Sequence, residues 1–255
     1  MAVARRAPEI VDAINRAIGI SLSDHEERRR LIFLLGSFRK KFEADMRIAI
    51  VLSKLYADNN DYDNAESLIR AVNKTMLSGD FPSLGNFATQ SKRLGRLEDT
   101  RWALNMMLDG FKEVALSKEL IAMAVSTGDI EALEHSTRLN SSLAKDAQQY
   151  LKIIDQGKIR DVFPRHQQCI AQLIGRRVTM RSAVAILEDP DDPNMGAVIN
   201  IEYRLLENFS VRRVIQKNIN KNLSEIYISH GLEPAQWLGV LHNSIATLSI
   251  DEDVA

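Results

Sequence analysis

The chain has 255 residues, 45% of them hydrophobic and 26% charged, with 33 Lys and Arg against 34 Asp and Glu. These proportions suit a soluble globular protein, and the near-neutral balance excludes a chain that is basic throughout, so any nucleic-acid role must come from a local patch. A single cysteine, Cys169, excludes an intrachain disulfide and a cysteine-built zinc site, and no apolar run is long enough to span a bilayer.

In chain order, Pro8 opens a first amphipathic helix, with Ile10, Val11, Ile14, Ala17 and Ile18 at helical spacing. Glu9, Asp12, Asn15 and Arg16 interrupt the continuous apolar core that a secretory signal needs. The expected compartment is cytoplasmic, where a lone thiol stays reduced. Residues 24–58 read as helix, either one long rod or two pieces broken near Gly36-Ser37. Ser23 or Asp24 can cap it, and Glu26 and Glu27 suit the first turn. Residues 63–77, 84–94, 97–111, 114–126 and 130–154 also carry helical spacing, and the short polar turns between them make neighbours antiparallel.

Three of those turns share one chemistry. Asn60, Gly95 and Gly128 suit a positive φ, a large apolar residue follows two positions later, and acids open the next helix. The intervals are 35 and 33 residues. A helix-turn-helix unit repeating every ~34 residues is the tetratricopeptide period. Residues 43–145 therefore resemble a tetratricopeptide-type helical repeat. The match is best in the first unit, where Ser53, Tyr56, Tyr62, Ala65 and Ile69 sit where that family places a small residue, an aromatic, a large apolar residue, a small residue and an apolar one. In later units Ile121 and Leu133 replace the small residues, and a helical bundle with recurrent turns is the alternative reading. Within 130–154, Ile130, Leu133, Thr137, Asn140, Ala144, Ala147, Leu151 and Ile154 follow three-four spacing. That spacing fits either a helix lying on the rest of the bundle or a seam for a homo-oligomer.

The texture changes after Phe163-Pro164. Residues 165–175 suit a short helix; 177–187 and 197–206 then alternate strictly around an acidic turn, which predicts a β-hairpin. Val184, Ile186, Ile199 and Ile201 should share its buried face. Helices over 209–229 and 234–248 would cover that face. The expected class is thus mainly α: a helical repeat or bundle over 1–160, then a C-terminal α+β module with one hairpin over 161–255.

No metal, cofactor or nucleophile motif stands out, which tilts the reading away from an enzyme and toward no cofactor. His166 and Cys169 lie three apart on one helix face, as a histidine-activated thiol would need, but no third group is recognisable. The cluster Asp189, Asp191 and Asp192 lacks the glycine and distant glutamate of a calcium loop and suits a solvated turn. Charge is uneven: residues 156–222 carry 11 basic residues against 7 acids, and from 223 onward there are five acids and no Lys or Arg. Arg213, Lys217 and Lys221 form a basic helical stripe beside an apolar one of Val211, Ile215, Ile219 and Leu223.

Two functions follow. The first is a non-enzymatic adaptor or regulatory scaffold that presents a helical surface, without a catalytic cleft, to a partner polypeptide. The second is a nucleic-acid-binding regulator, with Arg212, Arg213, Lys217 and Lys221 after Phe209 joined by Arg176, Arg177 and Arg181 as phosphate contacts. No membrane role is expected.

Overall fold

The computed structural model describes residues 8–110, 118–138, 143–174, 179–188, 197–205, 209–233 and 239–247. Within them the protein is mainly helical with a small C-terminal sheet. The helices are α1 (Pro8–Gly19), α2 (His25–Lys41), α3 (Met46–Asp58), α4 (Tyr62–Arg70), α5 (Phe81–Arg93), α6 (Leu97–Gly110), α7 (Lys118–Thr127), α8 (Ile130–Arg138), α9 (Leu143–Gln156), α10 (Phe163–Ile174) and α11 (Phe209–Ser229). The strands are β1 (Thr179–Leu187), β2 (Val198–Leu205) and β3 (Leu241–Thr247).

Aspartates start many of these helices. Asp24, Asp45, Asp61, Asp80 and Asp129 each accept a hydrogen bond from a backbone N–H in the first turn, satisfying donors that no helical carbonyl reaches. The turns closing α3, α5, α7, α9 and α11 share one geometry. Asn60, Gly95, Gly128, Lys158 and Gly231 have positive φ, from 54° to 73°. In each turn that residue's N–H reaches back three residues, and the next N–H reaches back five, as at Gly128 to Val125 and Asp129 to Ala124. This paired bond satisfies the last carbonyls of a helix and reverses the chain.

Two apolar clusters meet on α3. Ile48, Val51, Leu52 and Leu55 pack with Ile10, Ile14, Leu31 and Leu35 of α1 and α2. Ala49, Ile50 and Ala57 belong to a larger core that runs through Phe87, Leu104, Leu133, Ile154 and Phe163 to Ile199, Ile219 and Leu241. That core is continuous across residue 160. Ala65 is 0% exposed, and the Ser53 hydroxyl beside it donates to the Ala65 carbonyl oxygen at 2.8 Å.

The hairpin forms as the alternation predicts: β1 and β2 are antiparallel, with Val184 opposite Ile201 and Ile186 opposite Ile199. All four side chains join the core, the two isoleucines of β2 fully and the pair on β1 partly.

Three expectations are corrected. The break in 24–58 falls at Phe42–Asp45, where Asp45 caps α3; Gly36 and Ser37 stay helical, and the Ser37 hydroxyl donates to the Leu34 carbonyl. The stretch 130–154 is two helices, α8 and α9, packed on each other. The long seam proposed for a homo-oligomer therefore does not exist as one helix; Leu133, Ala147, Leu151 and Ile154 are spent on the protein's own core. Residues 241–247 are a strand, not part of a helix over 234–248. β3 pairs parallel with β2, Ile199 opposite Leu241, so the sheet has three strands in the order β1-β2-β3, and α11 is the crossover between β2 and β3. Ile215, Ile219, Leu223 and Tyr227 bury the inner side of α11.

Candidate binding site

The sequence places a small or polar side chain two residues before the positive-φ residue of each of the first three turns: Asp58, Arg93 and Ser126. Because α3, α5 and α7 end in the same turn, these three side chains come to one side of the molecule and line a single cavity of about 470 Å³. The end of α1 and the α1–α2 connection, from Ile18 to Leu22, close one edge. Gln167, Ala171 and Ile174 of α10 and Tyr203 of β2 close another. Such a volume lies within the range of small-ligand sites, roughly 300–1,000 Å³. The helical stack thus encloses a cleft, where an open surface was expected.

The walls are tied together by side chains. Gln90 Nε2 donates to Ser53 Oγ at 3.2 Å. Asp58 accepts from Lys54 Nζ at 2.8 Å and from Arg93 Nη1 at 2.6 Å. Lys92 Nζ donates to Ser126 Oγ at 2.6 Å, and burial draws its ammonium down to about 8. Tyr203 donates its hydroxyl to Gln167 Oε1 at 2.8 Å, and burial pushes the Tyr203 phenol well above its usual range. Several buried donors remain without an acceptor: Arg93 Nε, Arg93 Nη2 and Gln167 Nε2. Among the described residues, Lys54, Lys92 and Arg93 share the lining with one carboxylate, Asp58, while Ile18, Ile20, Leu22, Leu97, Met123 and Ile174 supply apolar wall. A site of this make-up can hold an acceptor-rich group against its polar side and an apolar one beside it. Asp58, Arg93 and Ser126 were not singled out by any motif; their signal was the shared position two residues before each turn.

The basic stripe lies elsewhere. Arg213, Lys217 and Lys221 are exposed along α11 and Arg212 is half-buried, while Ile215, Ile219 and Leu223 face the core. Arg181 pairs with Arg204 in the sheet register. The side chain of Arg181, and Arg176, Arg177, Asp189, Asp191 and Asp192 as whole residues, fall outside the described residues.

The pairing of His166 with Cys169 takes a different form from an activated thiol. His166 is 0% exposed, its Nε2 lies 2.7 Å from Asn243 Nδ2, and its Nδ1 lies 2.5 Å from the Tyr227 hydroxyl. Burial lowers its pKa to about 3, so the ring is neutral: Nε2 accepts from Asn243 and Nδ1 carries the proton toward Tyr227. Burial, and then Glu225, push the Cys169 thiol upward, the reverse of thiolate activation. Among the described residues no cluster of His, Cys, Asp and Glu could hold a metal, and no helix is long and apolar enough to cross a membrane. Comparison with protein-family models, with curated proteins and with solved structures finds no match.

Proposed function

We propose that the protein is a non-enzymatic, cytoplasmic interaction scaffold of the tetratricopeptide-like kind, which receives a partner polypeptide on the side where α3, α5 and α7 end. The observation that carries this reading is the cross-linked wall itself. Ser53 to Gln90 and Asp58 to Arg93 join α3 to α5, and Lys92 to Ser126 joins α5 to α7, so the face is organised before any partner arrives. The experiment is affinity capture from nuclease-treated native lysate with the wild type and a Thr89→Arg variant. Thr89 is exposed at the cavity wall, so arginine there obstructs the face without entering the core. The reading expects a captured polypeptide that Thr89→Arg loses; capture that the variant leaves intact rejects it.

A second reading, a nucleic-acid-binding regulator, is favoured by the exposure of Arg213, Lys217 and Lys221 along one side of α11. A mobility shift that weakens with salt and is lost on replacing all three by Glu would support it.

A further inference from the structure

We propose that the cavity between the α1–α2 connection, the ends of α3, α5 and α7, and α10 is a binding site for a small organic anion, an acidic head on an apolar body. This goes beyond the polypeptide reading and stands independently of it.

Gln167 is 1% exposed, and its Oε1 is fixed by the Tyr203 hydroxyl, which aims the amide and leaves Nε2 without an acceptor on the cavity wall. The Arg93 side chain is 10% exposed, and only its Nη1 is spent, on Asp58; Nε and Nη2 have no acceptor. A buried donor left unpaired costs about 1–3 kcal/mol, so native proteins rarely keep several beside one cavity. Among the described residues that line the cavity, every orphaned side-chain atom is an N–H and none is an oxygen. The missing group is therefore an acceptor.

Charge gives the sign. Lys54, Lys92 and Arg93 outnumber Asp58, and Asp58 already accepts from two of them. An anionic head would accept from the free Arg93 nitrogens and Gln167 Nε2, whereas a cation would find the one carboxylate, Asp58, already engaged by Lys54 and Arg93. Shape gives the rest of the ligand. Ile18 at the end of α1, Ile20 and Leu22 on the connection, and Met123 and Ile174 supply apolar lining, and about 470 Å³ holds a small molecule. Because the connection and α10 both line the space, an occupant would bridge segments far apart in sequence. It should stabilise the fold by mass action.

Calorimetric titration of the full chain tests this with four probes sharing one apolar body: octanoate, octyl phosphate, octanol and octylamine. The proposal expects one or both anions to bind saturably and raise the melting temperature, roughly tenfold or more tighter than octanol, with octylamine weakest. Which anion binds tighter separates a carboxylate head from a phosphate head. Gln167→Glu keeps the acceptor for Tyr203 but replaces the orphaned donor by a negative charge, and it should weaken the anions by roughly tenfold or more. If that variant misfolds by circular dichroism, Arg93→Gln supplies the same comparison. Octanol binding as tightly as octanoate, no saturable binding by any probe, or anion binding unchanged in a folded variant would each overturn the proposal. The polypeptide reading fails separately, through the capture experiment, whatever these titrations give.

Discussion

The hydroxyl of Ser53 donates to the backbone carbonyl oxygen of Ala65, 2.8 Å away across the contact between α3 and α4. The bond joins the two small residues that let these helices approach, and Ser53 also accepts from Gln90 of the next pair. One buried hydroxyl therefore links the packing of a helix pair to the wall of the cavity.

Ala65→Arg should be severely destabilising, since 0% exposure leaves no space for a guanidinium and no water to solvate it. An uncompensated buried charge costs about 3–5 kcal/mol, so thermal denaturation should show a fall of many degrees. Ser53→Ala is the milder test: it leaves Gln90 Nε2 without its acceptor and should cost about 1–2 kcal/mol in urea denaturation.

The repeated turns do not tolerate a side chain equally. At Gly128, with φ 66°, a Cβ would stand 2.8 Å from the Pro164 Cα and 3.0 Å from the Phe163 carbonyl oxygen, both backbone atoms. At Gly231, with φ 70°, it would meet nothing within 4 Å. Gly231→Ala should thus cost only the left-handed strain, about 1–2 kcal/mol. Gly128→Ala adds an overlap that α10 must move to relieve, and should cost about 2 kcal/mol more. Equal losses in chemical denaturation would contradict this account of where α7 meets α10.

Lys92 sets an alkaline signature. Its folded pKa, about 8, lies below the ordinary 10.5, so between these values the unfolded chain binds the extra proton and stability rises with pH. Below pH 8 the charged form weighs against folding, by an amount on the order of 3 kcal/mol. Lys92→Met should remove the upward slope between pH 8 and 10.5 and stabilise the protein at neutral pH; denaturation midpoints across that range measure both.

His166 sets an acid signature. Its folded pKa of about 3 lies below the usual 6.5, so the unfolded state binds more protons between the two. Stability should fall as pH drops from 6.5 toward 3. His166→Asn should flatten this limb while costing stability at neutral pH, because the bonds to Tyr227 and Asn243 change together. An unaltered acid limb would place its cause elsewhere.

Much of the architecture was legible because periodicity reports burial. Val184, Ile186, Ile199 and Ile201 alternate because one side of the hairpin is covered, and the turns at Asn60, Gly95 and Gly128 needed residues that accept positive φ. β3 was missed for a physical reason. Asn243 sits between Leu241 and Ile245 on its inward side, where an apolar residue would have completed the alternation, and it is polar because Nδ2 reaches His166. The helix read across 130–154 failed differently. Both α8 and α9 bury apolar residues in the same core, and the spacing happens to continue through the break. The cavity left the weakest trace, since its polar side chains come from six segments and gain meaning only when Asp58, Arg93 and Gln167 are brought together.

A photo-crosslinking amino acid placed at Thr89, and separately at Arg213, would report whether a partner polypeptide docks where α3, α5 and α7 end, as proposed. A polypeptide adduct is expected from position 89 in nuclease-treated lysate, and none of that species from position 213. An adduct from 213 alone, or nucleic acid crosslinked there with nothing at 89, would contradict that docking.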